Sequence, residues 1–228
     1  MMNTTQKYFL LTDTAATLFW TYVLARLVIL YPLTGARFLP GGLADFYLSV
    51  LVGTCALELF NYASIFRHVR GTPTIYNALP KPYWVNLLLT NSTRLLLAFV
   101  IYNYPKVART NAFPLLVASQ SIKELFRWYY NIEKVRLYNN VSKTAVAIRK
   151  ITFLIATPLE ASSIFYILFQ SLPVESYQDA LLPYDTRIKT LLKAILLGYF
   201  PAFYALYKRS IYKYFFVHSR ETYQKKQK

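Results

Sequence analysis

Six apolar blocks, each of about 20 residues or more, alternate along the chain with short polar connections, and that is the length a helix needs to cross hydrocarbon. The blocks run roughly from Thr14 to Leu33, Ala44 to Phe66, Tyr83 to Tyr104, Ala112 to Ile132, Ile148 to Leu172 and Leu191 to Phe216. Proline and glycine mark several ends: Pro32 and Gly35, the Pro40-Gly41-Gly42 turn, Pro105 and Pro173. The pattern predicts an all-α fold, a polytopic membrane helix bundle of about six transmembrane helices. It forms a single domain over residues 1–216, followed by a flexible basic tail over 217–228. No small-residue cleavage site follows the first block, which therefore reads as a retained helix rather than a signal peptide.

Charge sharpens this picture. The formal net charge is +16, a balance that in a soluble protein suggests nucleic acid. Here the lysines and arginines fall between and after apolar blocks. With both termini inside, sixteen lie in the inner segments, among them Lys7, Arg67, Arg70, Lys81, Lys134, Arg136, Arg149 and Lys208, and five lie in the outer loops, namely Arg37, Lys106, Arg109, Arg187 and Lys189. The positive-inside rule and anionic lipid head groups account for that distribution, so the partners expected are membrane lipids and not nucleic acid. The single cysteine, Cys55, lies within an apolar block and reads as a small buried hydrophobe. His68 and His218 show no ligand-like spacing, so neither a metal site nor a cofactor is implied.

Ionisable residues inside the blocks are the exception to the pattern: Arg26, Glu58, Arg94, Lys123, Glu124, Arg127 and Glu160. Each costs on the order of 2.5–3.5 kcal/mol to insert at mid-depth, so each must turn inward and find a partner. Glu124 and Arg127 are three apart and share a helix face. Glu58 and Arg94 can pair between the second and third spans. Together Glu58, Arg94, Glu124, Arg127, Arg149 and Glu160 are expected to form a polar pocket in the bundle, the simpler reading being ion pairs that lock helix packing. The tyrosines of Trp128-Tyr129-Tyr130 and of 204–214 suit interfacial anchors.

Several of these residues also occur in a familiar order. The fourth block contains Ser121-Ile122-Lys123-Glu124-Leu125-Phe126-Arg127-Trp128. Around it stand Trp20 with Leu30-Tyr31-Pro32, Glu58 with Asn61, Ser92-Thr93-Arg94, Arg149, and Tyr199-Phe200-Pro201-Ala202-Phe203. In this order the chain resembles the very-long-chain 3-hydroxyacyl-CoA dehydratases, six-helix membrane enzymes of fatty-acid elongation also called protein-tyrosine-phosphatase-like proteins. The fourth block is similar to that family's Ser-x-x-Glu-x-x-Arg-Tyr signature, with Trp128 at the Tyr position. Phosphatase chemistry is not implied, because Cys55 lacks the Arg-containing phosphate loop that a thiolate nucleophile needs.

The resemblance implies an active site that this chain does not complete. Dehydration needs one group to take the C2 proton and another to protonate the departing hydroxyl. The family uses a Tyr and a Glu seven residues apart on the fifth helix, about two turns, and so on one face. Carried over from Arg149 without gaps, the pattern puts Thr157 at the Tyr position, retains Pro158, replaces a Gly by Glu160, and puts Ile164 at the Glu position. Thr12-Asp13 stands where the family shows Tyr-Asn. Isoleucine carries no proton, and an aliphatic hydroxyl is a far weaker acid than a phenol. No catalytic residue is therefore expected, Glu160 being the candidate substitute, with Tyr166 six residues beyond it.

The expectation is a catalytically degenerate dehydratase-like protein, a structural or lipid-binding subunit with other membrane-protein subunits as partners. The alternative is an active dehydratase with a rearranged site that binds acyl-CoA. A transporter would need an internal repeat, and the sequence has none. Lys225-Lys226-Gln227-Lys228 matches a dilysine retrieval pattern, which with the resemblance points to the endoplasmic-reticulum membrane; the high charge also suits the mitochondrial inner membrane.

Overall fold

Runs of Leu, Ile, Val, Phe and Ala, broken by proline and polar residues at their ends, fold into six long helices within the described residues. The structure, a computed structural model, describes residues 4–38, 40–68, 83–137 and 141–212. The helices are α1 (Thr4–Phe38), α2 (Asp45–His68), α3 (Tyr83–Asn103), α4 (Ala112–Arg136), α5 (Lys143–Ser171) and α6 (Asp185–Ile211). The described residues contain no strand, and the chain is an all-α helical membrane bundle, as the pattern predicts.

Local chemistry sets the helix ends. Gly35 takes φ 66 and breaks the last turn of α1, a conformation that costs a side-chain-bearing residue and not glycine. Gly42 does the same at φ 89 in the single turn Pro40–Ala44. Pro105 opens a short 3-10 helix, Pro105–Arg109, directly after α3. Ser142 caps α5: its Oγ accepts from the Ala145 N–H at 3.2 Å and donates to Glu133 Oε2 at 3.0 Å, which ties the starts and ends of α5 and α4 together.

Successive helices run antiparallel. At one end the Tyr177 N–H donates to the Asn103 carbonyl at 2.9 Å, and Tyr104 Oη donates to Asp185 Oδ1 at 2.8 Å. These bonds join the α5–α6 connection to the end of α3. The Pro40–Ala44 turn packs on the Pro105–Arg109 helix at the same end. The α4–α5 connection lies at the opposite end.

Helix α4 is the centre of the bundle and packs most extensively against α1 and α5. An aromatic ladder crosses the core: Trp20 on α1 meets Tyr47 on α2 at 6.3 Å between ring centroids, and Tyr47 meets Phe113 on α4 at 5.9 Å, both edge to face. All three rings are buried. The outer surface is itself apolar, with Leu33 77% and Leu197 83% exposed beside Leu11, Leu18, Val28 and Phe200. In water such a surface would be a liability; against acyl chains it is the expected boundary, since lipid is as apolar as leucine.

Two expectations change. First, α1 begins at Thr4 and not near Thr14, because Phe9, Thr12 and Asp13 turn inward and continue the buried face. Second, α6 begins at Asp185, so Arg187 and Lys189 lie in its first turns and not in a loop. Asp185 favours a helix N-terminus, and its Oδ2 pairs with Lys189 Nζ at 2.6 Å in an i,i+4 bridge. Among the described residues, four helices are long and apolar enough to cross a membrane by length and composition, α1, α2, α5 and α6, while α3 supplies the shorter apolar run Leu87–Asn103. Helix α4 is long but carries Lys123, Glu124, Arg127, Glu133, Lys134 and Arg136. Neighbouring helices shield it, and a shielded helix can hold charges that a lipid-facing one cannot. Residues 69–82 and 213–228, with the basic residues of the α2–α3 connection, the tail and its C-terminal lysines, lie outside the described residues.

Candidate functional site

The charges expected inside the bundle separate into two groups. The first is a closed ring of four. Arg94 Nη1 on α3 donates to Glu58 Oε1 on α2 at 3.1 Å, and Arg94 Nη2 donates to Glu124 Oε1 on α4. Arg127 Nη2, one turn along α4, donates to Glu58 Oε1 and forms an ion pair with Glu124 Oε2. Two acids and two guanidinium groups balance in charge. Arginine suits this place because its planar fork reaches two carboxylates at once. Glu124 is 0% exposed and Arg94 is buried, so neither tolerates loss of its partners. Asp13 on α1, also buried, lies within electrostatic reach of Arg127 and Glu58. Tyr8 Oη donates to Asn61 Oδ1 at 2.9 Å and extends the polar seam between α1 and α2.

The second group lines a cavity of about 310 Å³ between α3, α4, α5 and α6. Its floor is an ion pair, Lys123 Nζ on α4 with Glu160 Oε2 on α5. Arg94 and Gln120 border it on the side of the four-charge ring. Gln120 is fully buried, and its Oε1 accepts from Tyr47 Oη, the middle ring of the aromatic ladder. The walls are mostly apolar, with Leu97, Phe153, Ile164 and Phe203 among them. The volume lies at the small end of the range typical of ligand sites, which are likewise mostly apolar with a few placed polar groups.

The fifth and sixth helices position the remaining polar groups. Pro158 lacks an N–H, so the carbonyl four residues earlier, Leu154, loses its helical donor. Tyr207 Oη on α6 donates to that carbonyl at 2.9 Å. Tyr199 Oη, one register higher, donates to the Ala161 carbonyl at 3.0 Å. Both tyrosines line the cavity, and their hydroxyl protons are engaged by backbone.

The expected site residues are thus brought together in part. Glu58, Arg94, Glu124 and Arg127 form the ring, with the Glu58–Arg94 and Glu124–Arg127 pairs that spacing suggests. Glu160 stands in the neighbouring cavity. Arg149 stands apart, its guanidinium 4.2 Å from the centre of the Tyr130 ring near the N-terminal end of α5. Thr157 and Ile164, the positions carried over for a catalytic Tyr and Glu, both line the cavity. Tyr166 does not: it is 47% exposed and accepts from Gln170 Nε2 at 2.8 Å. Arg26 meets rings instead of an acid, 5.3 Å from the centre of Phe46 and 5.8 Å from Tyr22. Lys123 as the partner of Glu160, and Gln120 as a link between core and cavity, are additions. The i,i+3 spacing of Gln120 and Lys123, at the start of the Ser121–Trp128 stretch, is the signal that points to them.

No family model matches the chain, and no solved structure matches it. The chain is similar to the beta-1,6-glucan synthesis-associated protein KEG1 of Saccharomyces cerevisiae, with 20% identity over 209 residues, which cover 92% of this chain and 97% of that protein.

Proposed function

We propose that this protein is a catalytically degenerate, dehydratase-like membrane subunit that keeps a small, mostly apolar cavity and serves an assembly supporting β-1,6-glucan synthesis. One observation carries the reading: Thr157 and Ile164, where the resemblance places the proton-handling Tyr and Glu, both line the cavity that also contains Glu160. A pocket is in place and its expected acid and base are not. The likeness to KEG1 runs almost end to end in both chains, and that protein is named as associated with synthesis. An accessory role in the same process fits a bundle without a catalytic pair. We place the protein in the endoplasmic-reticulum membrane on the dehydratase-like resemblance, with six crossings and both termini on the inner side.

A second reading, an active dehydratase with a rearranged site, finds some support in Tyr199 and Glu160, a tyrosine and a glutamate lining the same cavity. Against it, Tyr199 donates its proton to the Ala161 carbonyl, and Glu160 is neutralised by Lys123. Each group would have to leave a partner before handling a substrate proton.

The decisive assay offers purified protein a long-chain 3-hydroxyacyl-CoA and follows enoyl-CoA formation. General acid and base each contribute typically about 10²–10⁴-fold, so turnover is expected at background. Robust turnover that disappears in Glu160→Gln or Tyr199→Phe overturns the accessory reading. In cells, loss of this protein is expected to lower β-1,6-glucan content; unchanged content removes the assembly part of the proposal.

A further inference from the structure

Between Trp128 and Lys150, where α4 ends and α5 begins, the chain carries five lysines and arginines, Lys134, Arg136, Lys143, Arg149 and Lys150, and one acid, Glu133. Glu133 is committed: its Oε1 accepts from Tyr129 Oη at 3.0 Å, and its Oε2 accepts from Ser142 Oγ at 3.0 Å and from the Ser142 N–H at 3.4 Å. The positive-inside rule explains why cations gather at this end. It does not explain how two of them are placed. Tyr130 and Lys134 are one turn apart on α4 and share a face. Arg149 reaches that face from α5, its guanidinium over the Tyr130 ring, and lies within electrostatic reach of Lys134. Lys134 and Arg149 are half-buried, whereas Arg136 and Lys143 are exposed. Two like charges are thus brought together from two helices at a place that water screens only in part, and an anion between them would relieve their repulsion.

The chemistry of the pair narrows the anion. A guanidinium that rests on a ring face keeps N–H donors at its edge, and that fork matches two oxygens of a phosphate. A lysine beside it adds a point charge. A phosphomonoester carries about −1.5 to −2 at pH 7 and so answers two cations, whereas the phosphodiester of an ordinary lipid head group carries a single charge. The surface next to the pair points to a lipid as its source. Ile148, Ile151 and Ile155 are exposed on α5 at spacings of three and four, a stripe that begins beside Arg149. Acyl chains lying along this stripe would hold a phosphate at the level of the two cations, as anionic lipids are held by basic pockets between membrane helices.

We propose that Lys134 and Arg149 bind the phosphomonoester head group of an anionic lipid in the inner leaflet, with its acyl chains on the isoleucine stripe of α5. The test uses the full chain reconstituted in phosphatidylcholine vesicles with either of two alkyne-tagged, diazirine-bearing lipids of identical acyl chains, phosphatidic acid or phosphatidylserine. Phosphatidic acid is expected to label the α5 peptide that holds Ile148, Ile151 and Ile155 several-fold more than phosphatidylserine, and excess untagged phosphatidic acid should suppress the labelling. Arg149→Gln is expected to lower it about tenfold, the scale of one charge-assisted hydrogen bond, and Lys134→Gln several-fold. Arg109→Gln, at the opposite end of the bundle, should leave it unchanged. If Arg149→Gln fails to fold, Lys134→Gln decides. Equal labelling by the two lipids, or labelling that the Lys134 and Arg149 substitutions leave unchanged, overturns the proposal. Competition by glycerol 3-phosphate as strong as that by untagged phosphatidic acid would assign the site to a soluble phosphate and overturn its lipid part. Neither Lys134 nor Arg149 lines the cavity, so dehydratase turnover would overturn the accessory reading and leave this site standing.

Discussion

Tyr207 on α6 donates a hydrogen bond to the Leu154 carbonyl on α5 at 2.9 Å, and that carbonyl is the acceptor that Pro158 leaves without a helical donor. The tyrosine does from a neighbouring helix what the missing N–H would have done within α5. The two residues therefore couple α5 to α6 at the wall of the cavity. Tyr207→Phe is expected to destabilise the protein by about 0.6 kcal/mol, the average for an interhelical hydrogen bond in a membrane. In a Pro158→Ala background the backbone bond returns and the same change should cost nearly nothing. Thermal unfolding in detergent of the two single variants and the double variant measures the coupling; additive effects would show that Tyr207 acts through packing alone.

The four-charge ring predicts an asymmetry between two arginines. Arg94 is buried against Glu58 and Glu124, whereas Arg109 is exposed at the end of a short helix. Arg94→Leu leaves two buried carboxylates sharing the single guanidinium of Arg127 and should cost roughly 3–5 kcal/mol; Arg109→Leu should lie within about 0.5 kcal/mol of the parent. Equal melting temperatures for the two variants would dissolve the case for a buried network.

The sequence made the helices legible because a lipid-facing helix must be apolar over its whole length, and few other structures need that pattern. The pairs Glu58–Arg94 and Glu124–Arg127 were legible for the related reason that a charge in hydrocarbon needs a partner within reach. Three features were not legible. The start of α6 depended on Asp185, whose bonds to Lys189 and Tyr104 draw a polar stretch into the helix. The centrality of α4 depended on α1 and α5 wrapping it, a tertiary fact that lets a polar sequence run through the middle of the bundle. Arg149 was grouped with the pocket by its motif, yet its guanidinium rests on Tyr130, a cation–π contact that spacing alone does not reveal.

The Lys123–Glu160 pair offers a test of what holds the cavity floor. Both side chains are largely buried, so removing one partner leaves an uncompensated charge, while removing both leaves none. Lys123→Met and Glu160→Met should each lower stability by about 3–5 kcal/mol. The double variant should recover most of that loss, because methionine fills similar volume without a charge. Thermal unfolding of the four proteins gives the coupling energy. A double variant as unstable as the sum of the singles would mean that each residue is held by other groups and that the pair is incidental.

Orientation in the membrane can be tested at positions whose places in the bundle are described. Arg109 and Tyr177 lie at the end where the Tyr177 N–H bonds to the Asn103 carbonyl, and Leu137 and Lys143 lie at the opposite end, where α4 hands over to α5. The basic residues Lys134, Arg136, Lys143, Arg149 and Lys150 crowd that second end, which by the positive-inside rule is the cytoplasmic one. Single cysteines at the four positions in a Cys55→Ala background should then respond to a membrane-impermeant maleimide in two sets. Leu137→Cys and Lys143→Cys should react only after the membrane is opened, and Arg109→Cys and Tyr177→Cys should react from the lumenal or external side alone. Because the two ends are fixed relative to each other by the antiparallel helices, a split within either set would contradict the bundle itself. Reversal of both sets together would contradict only its orientation.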